Sequence, residues 1–266
     1  MAEIESAGTV GRIARAFVEA RRSGATIVEY PGPVPDALED AYQVQDAAIR
    51  LQGEPVGGWK VGRINAPLDA HFGTNRLAGP IFTPSIFVQT ADLVSMPVYA
   101  GGFAAAEAEF LLRIGTAPDP SKSNYTLAEA AELIDAVHAG IEIASSPYPG
   151  INERGPAVTV SDFGNNKGLV VGGAIADWRG AIDDWTLQLK IDGEVAGTNQ
   201  GRNMLDGPLG AAAFLFGLAA RRGFALSAGQ WISSGAVTGV HPVRPGQQVE
   251  ADFDGQLSVR CAIAAY

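Results

Sequence analysis

Cysteine is nearly absent. Cys261 is the single one in 266 residues, so an internal disulfide framework is excluded and a reducing cytoplasm suits the chain. Histidine is scarce too, with three in all, and none has the spacing to another that a zinc site needs. No apolar run reaches the ~18 residues that span a bilayer; "LGAAAFLFGLAA" is too short. The opening "MAEIESAGTV" lacks the basic and apolar regions of a signal peptide. A soluble, cytoplasmic protein without a membrane partner is expected. Positive charge is in deficit, 19 basic against 29 acidic residues for a formal net charge of −10. With no basic run to offset that, binding to nucleic-acid backbones is not expected. There is also no G-x-S-x-G elbow, no Walker A sequence and no G-x-G-x-x-G after a strand, which removes the common hydrolase and nucleotide-binding readings.

What is present is a folded, β-rich pattern. Hydrophobic content of 47% beside 18% charge belongs to a globular chain. The 33 glycines and 16 prolines imply many turns. Two helices are expected first. "VGRIARAFVEARR" (10–22) spaces Ile13, Phe17 and Val18 helically before Gly24, and "DALEDAYQVQDAAIRL" (36–51) has Asp36 as a good N-cap. From Gly57 the texture changes to alternation. "GGWKVGRI" sets Trp59 and Val61 against Lys60, and "LQLKIDGEVAG" reads as a hairpin turning at Asp192-Gly193, a pattern repeated at Asp254-Gly255. Thr126 and Glu129 form a capping box ahead of a helix in "LAEAAELIDAVH", which would leave His138 at a helix end. A further helix runs through "LGAAAFLFGLAARRG". The expected class is α+β, with a helical N-terminal part at 1–56 and a β-rich catalytic domain at 57–266.

The chemistry-bearing oddity is "GGFAAAEAEFLLRIG", where two glutamates interrupt an apolar run. On a strand, Glu107 and Glu109 share one face while Ala108, Phe110, Leu112 and Ile114 take the other. In "HAGIEIASSP" the same logic sets Glu142 opposite Ile141 and Ile143. Either this face is wet and the glutamates are solubilising, or the three carboxylates converge as an oxygen-only site. The second reading suits a hard cation such as Mg²⁺ or Mn²⁺. The small neighbours Ala104 and Ala106 favour it over a solvated face.

The E-x-E pair, the later I-E-I and the upstream "GWKVG" resemble the 2-keto-4-pentenoate hydratases. So do "DFGNNKGLVVGG" (162–173) and "SSGAVTGVHPVRPGQQVEADF" (233–253). These enzymes belong, with a hydratase/decarboxylase group, to the fumarylacetoacetate hydrolase superfamily. The resemblance runs from about residue 10 to 264. It implies a large mixed β-roll with a small helical N-terminal part, and a homo-oligomer. It implies that Glu107, Glu109 and Glu142 bind a divalent metal, with Lys60 nearby to anchor or protonate an anionic substrate. The implied reaction adds water to a 2-hydroxy-2,4-dienoate to give a 4-hydroxy-2-oxo acid in aromatic-compound catabolism. Ser161 and Ser234 are candidate partners of the substrate carboxylate. In one place the pattern departs. Such hydratases carry an acidic residue in a "PD-x-G" stretch, where this chain has Leu77 and Ala78. His71 is a candidate substitute, and Arg76 a candidate binder of a second carboxylate. The alternatives are a decarboxylase of an oxalocrotonate-like diacid, an acylpyruvate C–C hydrolase, or a non-catalytic binding protein on the same fold.

Overall fold

The computed structural model describes residues 2–266, with side chains for 8–180 and 182–266. Helix α1 (Ala2–Ser23) stops where Gly24 turns to a φ of 72°. Helix α2 (Leu38–Gln52) starts later than expected, because Ala37 occupies the cap position and makes no side-chain bond. Asp36 therefore lies outside the cap. Glu39 and Asp40 place negative charge in the first turn instead. Ile13, Phe17 and Val18 of α1 and Val44 and Ala48 of α2 share a cluster with Tyr148, Val158 and Phe163. The two helices are thereby fastened to the segment 148–163.

The remaining elements follow in order: β1 (Val56–Arg63), α3 (Leu68–Phe72), β2 (Arg76–Phe82), β3 (Ile86–Val88), β4 (Val94–Val98) and β5 (Phe103–Ile114). Next come α4 (Leu127–Glu132), β6 (Ile134–Ser146), α5 (Pro156–Ser161), β7 (Asn166–Ala174) and α6 (Trp178–Ala181). The chain closes with β8 (Thr186–Ile191), β9 (Glu194–Gln200), α7 (Gly207–Arg222), β10 (Trp231–Ser233), β11 (His241–Pro242), β12 (Gln248–Phe253) and β13 (Leu257–Ala265). The larger sheet runs β2-β1-β10-β5-β6-β7-β3, with β11 added to β5, and the smaller runs β4-β13-β12-β8-β9. Parallel pairs (β1 with β10, β3 with β7, β4 with β13) sit among antiparallel ones. The result is the expected mixed β-roll, a curled sheet closed by a second sheet and a few helices.

Local rules explain most boundaries. Asp192 and Gly193 both take positive φ, 51° and 86°, as a two-residue hairpin turn requires. The turn at Asp254-Gly255 is one residue longer, since Phe253 pairs with Leu257. Helix α7 ends on Arg221, Arg222 and a left-handed Gly223. The capping box of Thr126 and Glu129 forms with both its bonds. Its helix is shorter than expected and ends at Glu132; from Ile134 the chain is strand. Pairing along β5 buries Val137, Ala139, Ile141 and Ile143, and this outweighs local helix preference. His138 consequently lies within β6, where its Nδ1 donates to the Gly172 carbonyl at 2.9 Å. It does not sit at a helix end.

The main core fills the space between the sheets. Phe110 of β5 meets Phe253 of β12 edge to face, with ring centroids 5.8 Å apart. Ala108 and Leu112 of β5 and Ile141 and Ile143 of β6 point the same way into this core. The opposite face of the large sheet carries Glu107, Glu109 and Glu142, and is closed nearby by Leu111, Ile81, Leu169 and Val171. Among the described residues no helix is long and apolar enough to cross a membrane.

Candidate active site

The face that carries the glutamates is not wet. Glu109 and Glu142 are 0% exposed and Glu107 is 5% exposed, which removes the reading of solubilising residues. The strand register explains why they meet. Glu107 lies directly opposite Glu142, and Glu109 is opposite Gly140, one diagonal step away. One carboxylate oxygen from each of the three lies within 4.8 Å of the others. Lys60 reaches the same place from β1, with Nζ 3.1 Å from Glu142 Oε2.

Two of the three carboxylates, Glu109 and Glu142, are held from behind. Ser233 Oγ and the backbone N–H of Gly235, at 2.9 Å, both donate to Glu109 Oε2. Asn166 Nδ2 donates to Glu142 Oε1 at 2.8 Å. The forward oxygens are left open. Glu109 Oε1 has no hydrogen-bond partner, and neither has Glu142 Oε2. The second is close to Lys60 without a well-directed bond, so it is ion-paired by distance alone. The electrostatics follow from three buried acids against one base. Burial pushes the Glu107 carboxyl up to about 7, with Lys60 opposing and Glu142 reinforcing the shift. Burial, with Glu142 and Glu107 beside it, lifts Glu109 well above the carboxylate range. Burial opposes charge on Lys60, but the three glutamates outweigh it and raise its pKa.

If all three buried carboxylates were ionised beside the one lysine, two negative charges would be uncompensated, a state that costs several kcal/mol per unpaired ion and that the raised pKa values of Glu107 and Glu109 reflect. A dication brings that sum to zero. The donors are all oxygen, and two unbonded oxygens face forward, so the residues fit a hard divalent cation. Glu107, Glu109 and Glu142 are the groups that would hold it.

Lys60 and Glu107 line a cleft of about 670 Å³ whose walls include Ser234, Arg76, Asn165, Asn199 and Thr238. Of the other sequence candidates, Ser234 is brought to this site, and its buried Oγ has no hydrogen-bond partner. Arg76 also lines the cleft, but its guanidinium is already engaged by Asp206 Oδ2 at 3.3 Å and by the Leu205 carbonyl. Ser161 is not brought there. Its hydroxyl donates to the Ala157 carbonyl at 2.8 Å and accepts from Tyr30 at 2.9 Å. His71 is exposed on α3, beside Phe72, and is not among the cleft residues. The glycines around Lys60 serve packing. A Cβ on Gly58 would strike the Trp231 backbone, and one on Gly57 would strike Thr83 and Ile86.

Sequence reasoning missed the asparagines. Lys60 Nζ donates to Asn165 Oδ1 at 3.1 Å, and Asn165 Nδ2 donates to Asn152 Oδ1 at 3.0 Å. The signal was the "NN" inside the glycine-flanked "DFGNNKG". Two adjacent amides at a strand start are suited to contacts on opposite sides.

No family model matches the chain. It is 28% identical over 253 residues to a 2-keto-4-pentenoate hydratase of Paraburkholderia xenovorans (strain LB400), covering 93% of this chain and 92% of that protein. It is 30% identical over 225 residues to a 4-oxalocrotonate decarboxylase of Pseudomonas sp. (strain CF600), covering 83% of each. Among solved structures it resembles 4-oxalocrotonate decarboxylase from Pseudomonas putida G7 complexed with calcium and acetate. The TM-score is 0.81 at 22% identity, over 96% of this chain and 97% of that one. The same enzyme complexed with magnesium and adipate gives 0.79. By sequence over most of its length the chain belongs to the family of 2-keto-4-pentenoate hydratases and 4-oxalocrotonate decarboxylases, and its fold is that of the solved decarboxylase.

Proposed function

We propose that the protein is a divalent-metal-dependent hydratase that adds water to a 2-hydroxy-2,4-dienoate, yielding a 4-hydroxy-2-oxo acid in aromatic-compound catabolism. The observation that carries this reading is the meeting of Glu107, Glu109, Glu142 and Lys60 in one cluster, of which Lys60 and Glu107 line a cleft. Glu107, Glu109 and Glu142 would hold Mg²⁺ or Mn²⁺, which when bound supplies Lewis-acid stabilisation of negative charge on the substrate's 2-oxygen.

The chain's own groups do the remaining work. Lys60, with Nζ 3.1 Å from Glu142 Oε2 and 3.1 Å from Asn165 Oδ1, supplies the positive charge that receives the substrate's carboxylate. Asn165, also a cleft residue, accepts a hydrogen bond from that Nζ and so restrains it. Ser234 Oγ, buried with no internal partner, offers a hydrogen bond to the substrate. Asn199, Asn203 and Thr238 make the adjoining wall polar, which suits a water molecule approaching C4.

A decarboxylase of a 2-oxo diacid is the second reading. It is favoured by Leu77 and Ala78, both buried, at the place where the hydratases it resembles carry an acid. Loss of CO₂ needs the electron sink but no activated water. Mg²⁺ and freshly generated 2-hydroxypenta-2,4-dienoate, with the protein added, should show loss of the dienoate's ultraviolet absorbance. Unchanged absorbance together with CO₂ release from 2-oxohex-3-enedioate would transfer the assignment to the decarboxylase. We further propose self-association. It is supported by the family resemblance and by exposed Phe87 and Val88 on the edge strand β3, and light scattering tests it.

A further inference from the structure

The segment that delivers Asn165 and Asn166 has an unusual backbone. Phe163, Gly164 and Asn165 take consecutive positive φ values of 54°, 63° and 57°. Phe163 is neither glycine nor asparagine, and it is buried. Left-handed conformations in such residues persist only where their surroundings impose them.

On one side the turn is held by a single guanidinium. Arg21, near the end of α1, is 8% exposed and spends its donors on this turn. Nε donates to Asp162 Oδ1 at 2.5 Å and Nη2 to Asp162 Oδ2 at 3.0 Å, a two-pronged pair. Nη2 also reaches the Asp162 carbonyl at 3.2 Å. Nη1 donates to the Asn166 carbonyl at 2.8 Å. The same guanidinium therefore grips both ends of the turn and ties it to β6 through the Ser145 carbonyl at 3.2 Å. Phe163 packs beneath it, 5.1 Å from ring centroid to Cζ. On the other side the turn presses on β2, where a Cβ on Gly79 would overlap the Phe163 carbonyl.

We propose that Arg21 and Asp162 are positioning residues, an ion pair that fixes the left-handed turn 163–165 and thereby aims Asn165 at Lys60 and Asn166 at Glu142. Neither residue enters the cleft. The effect reaches the reaction through the two amides: Asn166 orients a carboxylate of the metal site, and Asn165 orients the lysine. The idea rests on the metal-dependent reading of the site. Groups that orient a metal ligand from behind typically matter about 10–100-fold in affinity.

The test uses the full chain with Asp162→Asn, and with Arg21→Lys as a milder change that keeps the charge and loses the fork. Folding is checked by thermal midpoint. Magnesium affinity is read by calorimetry, and kcat and KM on the dienoate. Asp162→Asn should weaken Mg²⁺ binding about tenfold and lower kcat more than it raises KM, with Arg21→Lys shifting both in the same direction by less. Asn166→Ala should reproduce the loss in metal affinity. Adding Asp162→Asn to Asn166→Ala should then cost little more affinity, since both act through one bond. Folded variants with wild-type affinity and kcat overturn the proposal, as does a double variant in which the two losses multiply. If Asp162→Asn does not fold, Arg21→Lys decides alone by the same readings. Wild-type protein that binds no magnesium would instead sink the reading of the site itself, and that result is separate from clamp variants matching a wild type that does bind.

Discussion

Lys60→Met separates the two jobs assigned to the cluster. The lysine is buried and its Nζ lies 3.1 Å from Glu142. At that distance and an effective dielectric near 20, their attraction is about 5 kcal/mol. Removing one partner of a buried pair costs about 3–5 kcal/mol, because the other charge is left behind. For a chain of 266 residues, an unfolding entropy of ~2.1 cal/mol/K per residue makes each kcal/mol worth about 2 °C. Metal-free Lys60→Met should therefore melt about 5–9 °C below metal-free wild type. The comparison belongs at pH 8 or above, because Lys60 helps hold Glu107 down to about 7 and its removal favours protonation that offsets part of the loss at lower pH. Saturating Mg²⁺ should close most of that gap, since a dication neutralises the same carboxylates. Its affinity should hold or tighten, while turnover falls by about a hundredfold or more. Calorimetry, melting and steady-state kinetics read these separately. An unchanged metal-free midpoint, or magnesium affinity that falls in step with turnover, would refute the reasoning.

Four further outcomes follow from the same geometry. Folded Glu107 and Glu109 keep protons that the unfolded chain has released, because burial raises both. Metal-free stability should thus be greatest below about pH 4.5 as far as these groups contribute, and should decline as pH rises through about 7; melting across pH with and without Mg²⁺ shows whether the cation flattens this slope. Ser234→Ala should lower kcat/KM about tenfold with unchanged Mg²⁺ affinity, the worth of one hydrogen bond; a parallel loss of metal binding would place the serine elsewhere. Burial pushes the Cys261 thiol up to about 12, so the native protein at pH 8 should resist alkylation until it unfolds, and prompt labelling would contradict the packing around it. Gly193 turns at a φ of 86°, so Gly193→Ala should cost about 1 kcal/mol, or roughly 2 °C, in a melt.

The carboxylate cluster and its lysine were readable from the sequence because they violate a local rule. Glu107, Glu109, Glu142 and Lys60 are charges inside apolar alternation, and alternation alone sets the carboxylates on one face. Their convergence needed only the pairing of two adjacent strands, which the register of β5 and β6 supplies. Hairpin turns and the end of α7 were readable for a related reason: left-handed positions favour Gly, Asn or Asp. The rest depended on contacts distant in the chain. Arg21 and Asp162 are 141 residues apart, and no periodicity links them. Asn165 and Asn166 look like turn residues until Lys60 and Glu142 are placed beside them. His71 and Ser161 have suitable chemistry, but α3 and α5 line the cleft with Leu68, Pro156 and Thr159 instead. Residues 133–138 read as helix because Leu133, Ile134 and Val137 also fit helical spacing, and only the partner strand decides otherwise.

The central claim is that one divalent cation sits among Glu107, Glu109 and Glu142. Anomalous scattering from a crystal soaked in Mn²⁺ tests it most directly. The account predicts one strong peak bonded to an oxygen of each of the three carboxylates, and no such peak in Glu109→Gln crystals. Manganese bound elsewhere, with the three glutamates protonated or turned apart, would contradict it.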